Sequence, residues 1–302
     1  MILAGGAGFL GRTLAKWNAK RDVETVILSR SATPIDGARV VEWDGRTLGA
    51  WASELEGAAA LVNLAGRSVN CRYTTKNRRQ MIDSRVLSTR VLGEAVRSCA
   101  TPPAVWLNSS TATIYRHTFG PAHDESGEIG AAAEANDAFS VEIAQAWEAE
   151  FAKAIAPRKI VLRTAMVLGR EPGGVLEVLR RLAKCWMGGR MGRGDQYVSW
   201  IHEEDFCRVI DWLIASPQAQ GVYNLSSPAP LTNGEMMAAM RRPCGRWLGL
   251  PAARWMLEVG AFFLRTETEL ILKSRRVVPG RLIQEGFRFS HPELEGALTG
   301  LV

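Results

Sequence analysis

A doubly wound α/β fold, in which helices cover both faces of a parallel sheet, is predicted by three features of this 302-residue sequence. Short β-rich apolar runs alternate with helical patterns over the first 165 residues, the helical stretches carry apolar residues three and four apart, and a glycine run joins the first strand to the first helix. Strands are expected at residues 2–4, 25–28, 40–43, 61–64, 105–109 and 160–163. The clearest helices fall at 10–18, 77–98 and 139–154.

Past Gly169 the texture changes. Gly173 and Gly174 open a helix to about residue 184, and the glycine-rich stretch 188–195 reads as loop. Residues 199–202 form a short extended piece leading into a helix at 204–215, and 222–225 reads as a last strand for the sheet. From Pro228 onward the pattern is mostly helical, broken by Pro243, Pro251 and Pro279. The expected division is a dinucleotide-binding domain over 1–168, completed by about 199–226, and a smaller, mostly helical substrate-side lobe over 169–198 and 227–302.

A 47% hydrophobic content at this length supplies a full core and excludes a disordered or fibrous chain. The net charge of +6 favours phosphorylated ligands, but it is spread out and no recognised module accompanies it, which argues against nucleic acid. Cys71, Cys99, Cys185, Cys207 and Cys244 are odd in number and have no CxxC pair, so neither a disulfide framework nor a metal site is indicated and a reducing cytoplasm is expected. The first residues run straight into a strand, leaving no room for a signal peptide. The longest apolar candidate, 256–264, is too short to span a membrane and is interrupted by Glu258.

A dinucleotide brings two adjacent phosphates, and a strand-turn-helix unit answers them with backbone N–H groups at a helix N-terminus. The run Gly5-Gly6-Ala7-Gly8-Phe9-Leu10-Gly11 has the required GxxGxxG spacing. Gly5 permits the tight turn, Gly8 the close approach of backbone to pyrophosphate, and Gly11 the packing of the helix, while Phe9 and Leu10 bring first-turn N–H groups. At the end of the second strand, where a carboxylate would hold the ribose hydroxyls of NAD(H), the sequence reads Ser29-Arg30. A hydroxyl and a guanidinium suit a 2′-phosphate, so NADP(H) is expected over NAD(H), the plain alternative being a solvated turn arginine. Leu64-Ala65-Gly66 after Asn63 should pass under the nicotinamide-side ribose.

The glycine loop, Leu64-Ala65-Gly66 and Ser109-Ser110-Thr111-Ala112-Thr113-Ile114-Tyr115 together resemble the extended short-chain dehydrogenase/reductase superfamily of sugar-nucleotide epimerases. Ser84-Arg85 with Thr89, Arg163-Thr164 with Val167-Leu168-Gly169, Gln196 with Ser199-Trp200-Ile201-His202, and Val277-Val278-Pro279 before Gly286-Phe287 narrow the likeness to the atypical, YfcH-type epimerase-like family. The resemblance covers nearly the whole chain. It implies a Rossmann-like sheet of about seven strands, with substrate in the cleft beneath the C-terminal lobe. It also singles out Arg85, Ser109 and Arg163 on the cofactor side, and Gln196, Trp200 and His202 toward the substrate. Trp200 also fits a packed core, and His202 a helix cap.

In ordinary members of the superfamily a Ser or Thr positions the substrate oxygen, a Tyr moves its proton, and a Lys four residues later lowers the tyrosine pKa. Thr111 stands in the first place, though it also fits a strand-end cap. The other two are missing: the alignment puts Phe139 with Ile143, or Ser140 with Ala144, in their positions, and Lys153 is too far along the helix. Ala112-Thr113 replace the Asp-Glu pair of the dehydratases, which disfavours that reaction. Tyr115 and Tyr73 are candidate displaced acids, each with a buried structural tyrosine as the alternative. Two functions therefore stand open: an NADP(H)-dependent oxidoreductase or epimerase acting on an unknown small polar or nucleotide-linked substrate, or a catalytically silent NADP(H)-binding regulatory protein. Assembly is left open, a homodimer included.

Overall fold

The computed structural model describes residues 1–264 and 267–301, the side chains of residues 260–264 and 270 excepted. In chain order its elements are β1 (Ile2–Ala4), α1 (Phe9–Ala19), β2 (Val26–Ser29), β3 (Arg39–Glu42), β4 (Leu61–Asn63), α2 (Thr75–Ser98), β5 (Trp106–Thr111), α3 (Ala138–Lys153), β6 (Lys159–Thr164) and β7 (Met166–Leu168). There follow α4 (Val175–Lys184), β8 (Tyr197–Val198), β9 (Trp200–His202), α5 (Glu203–Ala215), β10 (Gly221–Leu225) and β11 (Leu231–Thr232). The chain closes with α6 (Asn233–Arg241), α7 (Arg254–Leu264), α8 (Glu269–Leu272), α9 (Gly280–Gln284) and α10 (Leu294–Leu298). The boundaries expected from the sequence differ from these by at most two residues.

Seven strands form one parallel sheet in the order β10-β6-β5-β4-β1-β2-β3. The order reverses between β1 and β4, which opens a crevice at their C-terminal ends. Both faces of the inner strands are covered, so their apolar residues run on rather than alternate with polar ones. Leu3, Ile27, Val62, Leu107 and Leu162 pack with Leu14 of α1 and Phe206 and Ile210 of α5. Ile2, Val26, Leu28, Leu61 and Trp106 face the other way, onto Val91 and Leu92 of α2 and Phe151 of α3. The exposed ends of β3, Arg39 and Glu42, give the open sheet edge a charged border.

The short strand at Trp200–His202 lies outside this sheet and pairs in parallel with β7. Around it the second core gathers Leu168, Leu176, Leu179, Trp200, Met236, Met237, Met240 and Leu298. The segment 273–278 then runs back across the molecule between two others. Arg275 N–H donates to the Tyr197 carbonyl, the Ser199 hydroxyl spans the Arg275 carbonyl and the Val277 N–H, and His123 exchanges backbone bonds with Arg276 and Val278. Residues far apart in sequence thereby meet at the start of α3. Among the described residues no helix is long and apolar enough to cross a membrane.

Candidate functional site

The glycine loop lies at the mouth of the crevice, between β1 and α1. Gly5 has φ of 71° and faces the chain after β4 so closely that a Cβ would stand 2.5 Å from the Ala65 Cα. At Gly11 a Cβ would stand 2.1 Å from the Gly6 carbonyl oxygen, so this glycine lets the helix close on its own loop. Gly8 differs from both. Its backbone is extended and a Cβ would meet no atom within 4 Å, so neither conformation nor packing requires a glycine there. What the missing side chain leaves is open space at the start of α1, a helix with no side-chain cap and no acidic residue in its first turn. That space and those N–H groups fit the pyrophosphate of a dinucleotide. Phe9 turns its ring to Gly174 and Leu10 packs on the core, so these two offer the ligand backbone only.

Arg30 follows β2 and lines an open cavity of about 750 Å³ together with Trp43, Asp44, Leu48 and Trp51. Of the three carboxylates that line the cavity, Asp44 is committed to the Arg46 and Thr47 N–H groups and the Thr47 hydroxyl and Glu54 to Arg39, while Glu42 is exposed at the end of β3. Arg30 itself is exposed and, among the described residues, has no ion pair. The Ser29 hydroxyl accepts the Ser31 N–H, which folds the chain back beside it. Across the crevice, Asn63 is fully buried and fixes the turn after β4 by accepting the Ala65 N–H and donating to Asn108. The Leu64 N–H joins the Ala4 carbonyl. Arg85 of α2 reaches Gly66 and donates to the Arg67 and Met81 carbonyls, and burial pulls its guanidinium down to about 10. Ser109 is buried near the end of β5.

Several expected functional residues take structural roles. The Arg163 guanidinium makes a two-pronged bond with Glu148 and donates to the Tyr115 hydroxyl, which in turn donates to Asn224. With each guanidinium nitrogen so engaged and the side chain only 5% exposed, Arg163 braces β6. Tyr115 is likewise a framework residue, 1% exposed and stacked on His123. Gln196 holds the glycine-rich loop by bonding Gly194 N–H and the Met191 carbonyl, and Trp200 is fully buried with its indole N–H on the Ala229 carbonyl. His202 caps α5, its Nδ1 accepting the Glu204 N–H, while its ring stacks on His291 at 3.7 Å. His202, Glu204 and His291 are also within metal-sharing distance, but that accepting Nδ1 leaves the proton on Nε2, and stacked rings do not aim at one point.

At the place of the missing dyad, Phe139 and Ile143 pack with Met81 and Tyr73, whereas Ala144 faces the turn of Ala112 and Ile114. The Thr111 hydroxyl accepts the Thr113 N–H and so caps that turn, half-buried at the end of β5. Tyr73 lies edge-on to Phe139 at 5.0 Å, with its hydroxyl buried and not hydrogen-bonded. Beside it stand groups that sequence reading missed. Glu269 is 6% exposed with Oε1 unpartnered; Lys273 and Asp137 form an ion pair of 2.5 Å with both side chains at 0% exposure, and Lys273 also donates to the Thr113 carbonyl. Arg275 is half-buried against the same turn and reaches the Thr113 hydroxyl at 3.4 Å. A signal was available: the tail is mostly helical and apolar, yet Glu269, Lys273 and Arg275 fall four and two residues apart just before the resembling Val277-Val278-Pro279.

Comparison with known proteins sharpens this picture. Residues 1–226 match the model of the NAD dependent epimerase/dehydratase family, and 252–301 match a domain of unknown function, DUF1731. The chain is 29% identical to the human epimerase family protein SDR39U1 over 100% of this chain and 99% of that protein, and 29% identical to the Bacillus subtilis epimerase family protein YfhF over 100% and 97%. Its fold superposes on the crystal structure of human SDR39U1 with NADPH at a TM-score of 0.86, with 26% identity, covering 99% of this chain and 98% of that one. The extended dehydrogenase-type fold, the open Gly8 cradle and these matches agree, and the chain belongs to the NAD dependent epimerase/dehydratase family.

Proposed function

We propose that this protein binds NADP(H) in preference to NAD(H) and exchanges hydride between it and a small polar or nucleotide-linked substrate, in a reducing, cytoplasmic setting. The observation that carries the cofactor choice is Arg30, an exposed guanidinium without an ion pair among the described residues, facing a cavity in which two of the three lining carboxylates, Asp44 and Glu54, are turned to other partners. The NADPH held by the similar human protein supports it. The five free cysteines suit the setting.

In this reading the first-turn N–H groups of α1 hold the pyrophosphate, Arg30 and Ser29 the 2′-phosphate, and the turn 64–66 with Arg85 the nicotinamide-side ribose. When bound, the nicotinamide supplies or accepts a hydride. Thr111 orients the substrate oxygen near the end of β5.

A second reading, a cofactor-binding protein without turnover, draws on the apolar packing of Phe139 and Ile143. Fluorescence titration with NADPH and NADH, followed by NADPH oxidation assays over a panel of aldehydes and ketones, separates them. Tight NADPH binding with oxidation supports the enzyme, and tight binding without oxidation the silent protein. If neither nucleotide binds, both readings fall.

A further inference from the structure

We infer that Tyr73, brought from a loop to the start of α3, is the proton donor of this site to the carbonyl oxygen of an aldehyde or ketone, and that Glu269, brought there from the C-terminal lobe, is the residue that tunes it. The inference rests on the cofactor reading above. Its geometry is that of the crevice. Tyr73 packs on Phe139 in the first turn of α3, one of the positions left empty of a working dyad, and it belongs to the same cluster as Met81, whose carbonyl Arg85 holds beside Gly66. Its hydroxyl is buried without a hydrogen bond, and Glu269 Oε1 is buried without one as well. The Ser140 hydroxyl lies beside both and lowers both, but a phenol and a carboxyl oxygen buried without a well-formed hydrogen bond are costly to the fold unless something else engages them. A substrate oxygen would.

The surroundings set the direction of proton flow. Burial, with Glu269, Glu267 and Cys71 adding to it and the Ser140 hydroxyl tempering it, pushes the Tyr73 phenol up to about 12, so it is a donor at neutral pH. In the usual dyad a lysine does the opposite. Burial also raises Glu269, against the pull of Ser140, Arg275 and Lys273, with Asp137 adding to the rise. Asp137 in turn is paired with Lys273, so the one lysine in the cluster is held away from the phenol.

The step then balances as a reduction. A hydride with its electron pair passes from bound NADPH to the carbonyl carbon, which leaves NADP⁺. The carbonyl oxygen takes the phenolic proton of Tyr73 and becomes the alcohol, and a proton from water returns to the resulting phenolate, whose basicity the neighbouring Glu269 raises. Tyr73 is the catalytic residue, while Glu269 acts through it.

The test reads the phenol directly. The full chain is produced with meta-fluorotyrosine, whose phenol is more acidic than that of tyrosine, and its four tyrosine signals are followed by fluorine NMR against pH, with Tyr73→Phe assigning the Tyr73 signal. Saturating NADP⁺, with binding verified separately by fluorescence, should make Tyr73 about tenfold more acidic, because the cationic nicotinamide stabilises a nearby phenolate, and should leave Tyr197 and Tyr223 unmoved. Glu269→Gln should shift it in the same direction without nucleotide. With whichever carbonyl the panel identifies, Tyr73→Phe should lower kcat about a hundredfold or more and leave NADPH affinity unchanged. If NADP⁺ binds and the Tyr73 titration does not move, this inference is overturned while the cofactor reading survives. If NADP⁺ does not bind, both fall. The unsubstituted chain with NADP⁺ decides the matter even where Glu269→Gln fails to fold.

Discussion

Gly8 and Gly11 look alike in the sequence and have opposite requirements. A valine at Gly11 must displace the Gly6 backbone, so Gly11→Val should cost several kcal/mol, whereas Gly8→Val meets open space and should leave thermal unfolding unchanged. Nucleotide binding should be lost in both. Calorimetry beside a fluorescence titration checks the contrast, and a destabilised Gly8→Val would mean that the glycine serves the fold. Arg30→Ala removes a charge-assisted contact of about 1.5–3 kcal/mol and should weaken NADPH roughly ten- to hundredfold, with NADH nearly unaffected. Equal losses would remove Arg30 from the phosphate site. Such residues were legible because their requirement is local: a turn, a helix start, a strand end. Arg163 and Tyr115 were not, since their role depends on Glu148 and Asn224, and a sequence names a side chain without naming its partner.

At the scale of elements, α5 shows how a helix start couples to pH. His202 caps it, and burial, with the neighbouring His291, pulls the imidazole from 6.5 down to about 4, so the ring is neutral in the folded protein. The unfolded chain takes a proton between pH 6.5 and about 4 that the folded chain refuses. Stability is therefore full above pH 6.5, falls through that window by about 3 kcal/mol, and loses nothing more from this group below it. His202→Asn keeps a capping acceptor and cannot titrate, and chemical denaturation from pH 7 down to 4 should show the variant losing less. Parallel losses would place the acid sensitivity elsewhere. Elements were the most legible level of this protein: apolar runs and periodicity gave the seven strands and the major helices, because both faces of the sheet are covered by helices whose own apolar stripes repeat. The pairing of Trp200–His202 with β7 outside the main sheet was hidden, since a three-residue extended piece carries no mark of which sheet it joins.

For the whole molecule, the C-terminal lobe is fastened to the sheet domain by a buried ion pair. Lys273→Met leaves Asp137 charged and unpaired in the interior and should destabilise the protein by about 3–5 kcal/mol, whereas Lys273→Met with Asp137→Asn should recover much of that. A double-mutant cycle by urea unfolding measures the coupling, and a single variant as stable as the parent would show that the pair does not hold the lobe. This level was the least legible. Nothing in the pattern around Lys273 points to a helix start far upstream, because long-range contacts are fixed by how layers stack and not by local periodicity.

That fastening also sets a schedule for the nascent chain. Lys273 and the Thr113 carbonyl that it caps are 160 residues apart, which at ~5–20 residues per second is roughly 10–30 s of synthesis. Once β6 has emerged, the sheet strands up to it can assemble, while the start of α3 presents a bare carboxylate and an unsealed apolar seam to solvent. The crevice therefore becomes competent only once the segment 273–278 has emerged, and the partly made chain is the form that a chaperone or a protease meets.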